Sequence, residues 1–78
     1  MESIEQVVLA LVSAKVGRPV GLTETWEQLG LDSLDVTELL MEVEERFRVT
    51  VPDAEAMTLK CPGDVVEHLK RLKGSDAA

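Results

Sequence analysis

Apolar residues recur at intervals of three and four along three stretches of the chain, which is the spacing of helices with one buried face. The first stretch predicts a helix over about residues 3–16, with Ser3 and Gln6 forming a capping box at its start. The last stretch predicts a helix from Pro62, a residue favoured at the first helical position, to about residue 73. No segment alternates convincingly as a strand would, so the pattern predicts an all-α fold.

A second long helix is predicted from about Ser33 to Phe47. Asp32 is suited to cap this helix, because its side chain can accept a hydrogen bond from the first turn. A short helical turn is expected at about residues 53–57. We expect the last residues, about 74–78, to form a frayed tail.

The segment between the first two helices, residues 17–32, is rich in glycine and shows no sustained period. A loop of this length in a small domain is usually functional or packed against the core. We expect Trp26 and Leu29 to anchor it, with Thr25 capping a single helical turn. The picture is three main helices, one short helix and one long loop.

The second helix carries apolar residues on two sides. With about 100° per residue, one arc forms a core stripe. The stripe consists of Val36, Leu39, Leu40, Val43 and Phe47. Leu34 and Met41 fall outside it, with Glu38 and Glu45 on one flank and Glu44 on the other. This arrangement fits a binding patch for a basic partner, but it also fits ordinary exposed apolar residues.

Charge narrows the possible partners. The 78 residues contain eight Lys and Arg against fifteen Asp and Glu, for a net charge of -7. A nucleic-acid-binding protein would need a basic patch, and an anionic membrane would repel this chain. The charge therefore favours protein partners with basic surfaces, reached by electrostatic steering.

Cysteine and histidine are scarce. Cys61 is the only cysteine and His68 the only histidine, so neither an internal disulfide nor a zinc site is expected. We interpret Cys61 as a partly buried structural thiol or an imperfect helix cap. No apolar run has the length of a membrane span, and the acidic start does not resemble a signal peptide. We expect a cytoplasmic monomer.

The residues around Ser33 are similar to the signature of the acyl carrier proteins. The similarity rests on Asp32-Ser33-Leu34-Asp35, on Glu38-Leu39, on Glu44-Glu45 and Phe47, and on Val51-Pro52-Asp53. It extends more loosely over the first and last helices and so covers nearly the whole chain. The resemblance implies a four-helix bundle of acyl-carrier type, formed by residues 1–78 as one carrier domain.

The resemblance also implies a cofactor and a set of partners. A phosphopantetheinyl transferase would attach 4'-phosphopantetheine from coenzyme A to Ser33, and the arm would hold acyl groups as thioesters. Acyltransferases, ketosynthases and other acyl-processing enzymes with basic patches would then bind the carrier. The matching partner-contact positions are Asp32, Leu34, Asp35, Glu38, Met41, Glu44 and Glu45.

Several positions depart from the pattern of primary fatty-acid carriers. Arg46 and Arg48 stand where acidic or neutral residues are usual, and the loop before Asp32 is a few residues short. Trp26 replaces a more common Phe, and Met57 stands where an acid is frequent. Cys61-Pro62 is also an unusual entry to the last helix. These departures favour a carrier for a dedicated pathway of fatty-acid or polyketide type.

Other functions remain open from the sequence. Asp32-Ser33-Leu34 is similar to part of the Gly-Asp-Ser-Leu hydrolase motif, but Leu31 replaces its glycine and the chain is too short for that fold. A serine nucleophile also needs a base close by, and we expect His68 to lie at the solvent edge. A helical interaction module without a prosthetic group and a peptidyl carrier are the remaining alternatives.

Overall fold

Four helices make up the fold in this computed structural model, which describes residues 3–73. They are α1 (Ile4–Val16), α2 (Ser33–Phe47), α3 (Asp53–Ala56) and α4 (Pro62–Leu72). No strand occurs in the described residues, so the predicted all-α fold with a long loop between α1 and α2 is confirmed. Within the same residues, no helix combines the length and apolarity needed to cross a bilayer. The predicted tail at residues 74–78 lies outside the described part of the chain.

The start of α1 has the capping box that its sequence predicts. The Ser3 hydroxyl accepts a hydrogen bond from the Gln6 backbone at 3.1 Å, and the Gln6 side chain accepts one from the Ser3 backbone at 3.0 Å. At the other end, Gly17 adopts a left-handed conformation with φ of 89°. Glycine adopts this conformation without the steric cost that a Cβ atom adds, which explains why the helix ends there.

Both ends of α2 lie where the sequence predicts, but they are formed differently. Asp32 accepts a hydrogen bond from the Asp35 backbone at 2.9 Å, while the Asp35 carboxylate accepts one from the Asp32 backbone at 3.3 Å. The carboxylates also lie at the positive end of the helix dipole, which favours them. The helix ends at Phe47 and is capped by Arg48, a non-glycine residue in the left-handed region with φ of 56°.

The long loop is attached to the segment before α4. The buried Trp26 donates from its indole nitrogen to the Leu59 carbonyl at 2.8 Å and from its backbone to the Lys60 carbonyl at 2.9 Å. Farther along, the Gly63 backbone donates to the Leu22 carbonyl at 2.8 Å. A Cβ atom at Gly63 would lie only 3.0 Å from that carbonyl oxygen, so the close approach favours glycine. The predicted anchoring of the loop by Trp26 is confirmed.

A single turn inside the loop has the geometry of a helix start. The Thr25 hydroxyl accepts from the Gln28 backbone at 3.1 Å, and the Gln28 side chain accepts from the Thr25 backbone at 2.9 Å. The Leu29 backbone then donates to the Thr25 carbonyl at 3.0 Å, and the Leu29 side chain is buried. Both the Thr25 cap and the Leu29 anchor are therefore confirmed.

The core lies where α1 packs against α2 and α4. In α2, Leu39, Leu40 and Val43 are buried, whereas Val36 and Phe47 from the predicted stripe are half-buried at its edges. The other buried apolar residues of this core are Ile4, Val8, Val12, Trp26, Leu29, Val51, Leu59, Val65, Val66 and Leu69. The core side of α2 is thus the predicted one, which leaves its opposite face outward.

The last helix begins at Pro62, as predicted, and Cys61 occupies its cap position. Cys61 was predicted to be a partly buried thiol or an imperfect cap, and its half-buried side chain, which makes no capping hydrogen bond, fits both descriptions. At the other end of the helix, the Lys73 ammonium donates to the Phe47 carbonyl at 3.3 Å. The C-terminal ends of α2 and α4 are therefore neighbours.

The prediction that His68 lies at the solvent edge is wrong. The residue is only 7% exposed, because it lies three residues from Val65 and one from Leu69 and so joins the buried side of α4. Its Nδ1 atom is 4.0 Å from a carboxylate oxygen of Glu55 on α3. Its Nε2 atom is buried and has no hydrogen-bond partner among the described residues.

His68→Leu should raise the free energy of unfolding by about 1 kcal/mol, because it removes a buried polar atom that no hydrogen bond satisfies. Urea titration followed by circular dichroism measures this change. Glu55→Gln is the control for the neighbouring charge and should change stability by less than about 0.5 kcal/mol. A less stable His68→Leu protein would show that the imidazole makes a hydrogen bond that the fold requires.

Candidate functional site

Ser33 is the first residue of α2, and its side chain is exposed. Asp32 supplies the helix cap, so the Ser33 hydroxyl is not needed for that role. Among residues 3–73 this hydroxyl has no hydrogen-bond partner, although the Ser33 carbonyl accepts from the Thr37 hydroxyl at 2.8 Å. A free hydroxyl at the positive end of a helix dipole is reachable by another protein and suits attachment of an anionic group.

An open groove of about 620 Å³ begins beside Ser33 and runs between α2, α3 and the long loop. Its apolar lining comes from Trp26, Leu31, Val36, Leu40, Ala56, Met57 and Leu59. Asp32, Asp53 and Lys60 are charged residues that also line it. An apolar groove next to an exposed hydroxyl is a suitable shelter for an apolar chain that is tethered there.

Helical periodicity suggests that an acyl cargo is sheltered between the helices by residues such as Leu40, Val43, Val51, Leu59 and Val66, but only some of these residues line the groove. Leu40 and Leu59 line it, and Val51 lines a smaller neighbouring groove. Val43 is fully buried in the core, and Val66 lines a separate groove between the long loop and α4. Helical periodicity identified the side of α2 that faces inward, but it did not separate the groove wall from the core interior.

The outward face of α2 carries the two apolar residues that the helical wheel places outside the core. Leu34 is 65% exposed and Met41 is 60% exposed. Leu34 directly follows Ser33 and is exposed with it at the start of α2. Large exposed apolar side chains are suitable anchors for a partner surface.

The acidic residues predicted to contact partners differ in their environments. Glu38 forms an ion pair with Lys15 of α1 at 2.6 Å, and Glu44 accepts a hydrogen bond from the Val51 backbone, also at 2.6 Å. Asp32 and Asp35 form the capping box of α2. Glu45 is exposed and lies near Arg46 and Arg48 at the far end of the helix.

The ammonium group of Lys15 is stabilised in its protonated form by acids of α2. Its hydrogen bond to Glu38 raises the pKa of the ammonium group above its usual value, and the nearby charges of Asp35 and Glu42 raise it further. Partial desolvation acts in the opposite direction without reversing the shift. One cation therefore lies against the side of α2 that faces α1.

Several contacts at the site were not predicted from the sequence. The Lys15–Glu38 pair joins residues far apart in the chain, and no local pattern signals it. The role of Glu44 in holding the Val51 backbone was also missed, although a carboxylate near a chain reversal is a reasonable candidate for such a bond. Met57 is 75% exposed at the groove beside Ser33, which makes it a third exposed apolar residue at the site.

The sequence profile of a family described as "Phosphopantetheine attachment site" matches residues 6–69. The acyl carrier protein of Rickettsia bellii is 36% identical over 94% of this chain and 95% of its own length. The chain belongs to the acyl carrier protein family. A second acyl carrier protein, from Wolinella succinogenes, is 36% identical over 92% of this chain and 95% of its own length. The acyl carrier protein of Campylobacter fetus subsp. fetus is 53% identical over 60% of this chain and 61% of its own length.

Membership of the acyl carrier protein family confirms three predictions. Acyl carrier proteins are carriers and not enzymes, they bear phosphopantetheine, and they work with phosphopantetheinyl transferases and acyl-processing enzymes. The residues at the head of α2 fit such a group, because Ser33 offers a free hydroxyl and the adjoining groove offers apolar walls. The hydrolase interpretation is thereby set aside in favour of a carrier.

Proposed function

We propose that Ser33 is the residue that carries 4'-phosphopantetheine and that this chain delivers acyl groups to biosynthetic enzymes. The observation that carries the proposal is the free, exposed hydroxyl at the first position of α2, beside an apolar groove. When attached, the group supplies a thiol that holds acyl chains as thioesters. The protein supplies the attachment hydroxyl, the shelter and the surface that partners bind.

The position of Ser33 suits the attachment reaction. Its oxygen would attack the phosphorus next to the pantetheine part of coenzyme A, so that the new phosphodiester bond forms as the pyrophosphate linkage breaks and adenosine 3',5'-bisphosphate leaves. The hydroxyl proton would go to the transferase, since no side chain of the described residues accepts a hydrogen bond from Ser33. The helix dipole favours the resulting anion. Asp32, the neighbouring cap residue, opposes the anion, so we expect a cation supplied by the transferase complex to offset that repulsion.

The groove would protect an apolar cargo from water between reactions. Each methylene group that is removed from water contributes about 0.8 kcal/mol, so even a partly inserted chain gains several kcal/mol. Leu40 and Leu59 form part of the wall, while the exposed Met57 lies at the surface of the groove. The open shape of the groove fits temporary shelter from which a partner enzyme retrieves the cargo.

The partner surface we propose comprises the outward face and the acidic residues around Ser33. Leu34 and Met41 would enter apolar depressions on the partner, because they are the exposed apolar side chains of α2. The acids would attract basic residues and speed association. The proposed partner surface consists of Asp32, Leu34, Asp35, Glu38, Met41, Glu44 and Glu45.

Leu34→Ala should slow installation of the arm by at least about fivefold in kcat/KM, because it removes an apolar anchor beside the reacting hydroxyl. Leu72→Ala is the matched control, since Leu72 is also an exposed apolar residue but lies at the end of α4. The rates are measured with one broad-specificity phosphopantetheinyl transferase. Equal rates for the two variants would contradict the proposed role of Leu34.

The pathway we propose is a dedicated one of fatty-acid or polyketide type, with residues 1–78 acting as a single, monomeric carrier domain in the cytoplasm. The support is the set of departures from primary fatty-acid carriers, above all Arg46, Arg48 and Met57. The mass of the acylated species purified from the native host identifies the cargo. Ordinary saturated fatty-acyl chains alone would argue for a primary carrier, and an aminoacyl group would argue for a peptidyl carrier.

Intact-mass measurement tests the attachment itself. Folded protein is incubated with coenzyme A and a broad-specificity phosphopantetheinyl transferase, and fragmentation then locates the modified residue. We expect the mass of one phosphopantetheine group to be gained on the peptide that contains Ser33. No gain would favour an interaction module without a prosthetic group, and a gain on another residue would exclude Ser33.

A further inference from the structure

Lys15 and Glu38 join the middle of the partner surface to α1. The Lys15 ammonium lies 2.6 Å from the Glu38 carboxylate, and the lysine side chain is the less exposed of the two, at 22% against 53%. The Glu38 side chain is therefore half exposed to solvent, although its carboxylate already forms an ion pair with Lys15 on the side that faces α1. A basic partner must compete with Lys15 for this carboxylate.

Two further acids of α2 lie within the influence of the same lysine. Asp35, Glu38 and Glu42 are spaced three and four residues apart, which places them along one side of the helix. The charges of all three raise the pKa of Lys15, because each of them favours the protonated ammonium. The ammonium group of Lys15 thus partly neutralises the negative charge on the side of α2 that faces α1.

The opposite side of α2 has no such compensation. Met41, Glu44 and Asp53 line one small groove between α2 and α3. In the described part of the chain, neither Glu44 nor Asp53 forms an ion pair with a lysine or arginine. A partner cation that enters here displaces no internal ammonium group.

We propose that Lys15 masks Glu38 and thereby directs basic partner enzymes to the α3 side of α2, where Glu44 and Asp53 flank the exposed Met41. This inference rests on the proposed carrier function and adds a direction of approach to it. Its physical basis is a difference in the free energy with which a partner cation binds on the α1 side and on the α3 side of α2. A partner gains little at a carboxylate that must first give up its own ion pair. It gains more at the exposed Asp53 and at Glu44, which accepts a hydrogen bond from the Val51 backbone but holds no lysine or arginine of the described residues.

A matched pair of charge removals tests the masking. Lys15→Gln frees Glu38, whereas Arg18→Gln removes the same charge from the Arg18–Glu24 pair in the loop. With a broad-specificity phosphopantetheinyl transferase at low salt, Lys15→Gln should raise kcat/KM about two- to fivefold relative to Arg18→Gln. The same increase in both variants would reveal a general effect of net charge and overturn the inference.

Substitutions of the acids provide a second readout. The gain from Lys15→Gln should disappear when Glu38→Gln is also present, since there is then no carboxylate to unmask. In otherwise unchanged protein, Asp53→Asn should lower kcat/KM more than Glu38→Gln does. A gain that persists without Glu38, or a larger loss from Glu38→Gln than from Asp53→Asn, would contradict the proposed direction of approach.

The two proposals fail in different ways in this experiment. If none of the proteins accepts the phosphopantetheine group, the assignment of Ser33 as its carrier is wrong. If all of them accept it at rates that do not depend on Lys15, the carrier function stands and the masking is wrong. Circular dichroism of each variant confirms that the rates compare folded proteins.

Discussion

Ser33→Ala should fold like the wild-type protein and gain no mass when incubated with coenzyme A and a phosphopantetheinyl transferase. The substitution removes the proposed attachment oxygen, and alanine cannot replace it as a nucleophile. The fold should persist because Asp32 caps α2 and the Ser33 hydroxyl makes no hydrogen bond among the described residues. Alanine is also a good helix former. Intact-mass measurement and far-ultraviolet circular dichroism together report both outcomes.

Ser13→Ala is the matched control for this experiment. Ser13 is a half-buried residue of α1 whose carbonyl accepts the hydrogen bond from Gly17. Its backbone contact survives the substitution, and the variant should gain the full mass of the arm. Modification of Ser33→Ala to the wild-type extent would disprove the attachment site, even if the chain still behaved as a carrier.

The helix bounds were predictable because the signals that set them are local. Ser3 with Gln6 and Asp32 with Asp35 lie three residues apart, and in each case the two side chains cap each other's backbone at the helix start. Gly17 marks the end of α1 for an equally local reason. The end of α2 also matched its prediction, although Arg48 adopts a left-handed conformation that is unusual outside glycine.

The attachment candidate was found by a different route. A serine after an aspartate at a helix start is an ordinary cap sequence, so geometry alone gave Ser33 no special role. The wider similarity to acyl carrier proteins pointed to it, and the structure added the exposed position and the neighbouring groove. Local physics and family resemblance thus supplied different parts of the same site.

Contacts between residues that are far apart in the chain could not be predicted from the sequence. Lys15 and Glu38 are on separate helices, and which cation reaches which acid depends on how α1 packs against α2. His68 was missed for another reason. Its polarity suggested a surface position, but its place on the helix next to Val65 and Leu69 required burial. In α4 the helical period decides the environment of a residue more strongly than its polarity does.

Trp26→Ala should unfold most of the protein or bring it close to unfolding. Removing a buried aromatic side chain costs about 3–5 kcal/mol, whereas a chain of this length is stabilised by only about 4–12 kcal/mol. Trp26 also holds the long loop against the segment before α4, through the carbonyls of Leu59 and Lys60. Urea titration followed by circular dichroism is the appropriate measurement, because the substitution removes the only tryptophan and its fluorescence.

Trp26→Phe separates the packing contribution of this residue from its hydrogen bond. Phenylalanine keeps an aromatic ring in the core but leaves the Leu59 carbonyl without the indole donor that lies 2.8 Å away. This variant should lose only about 1–2 kcal/mol of stability. Because Trp26 lines the groove beside Ser33, Trp26→Ala should also impair arm installation where Trp26→Phe does not. If Trp26→Ala were within about 1 kcal/mol of the wild-type stability, the loop would not depend on this anchor, and the groove would need another explanation for its shape.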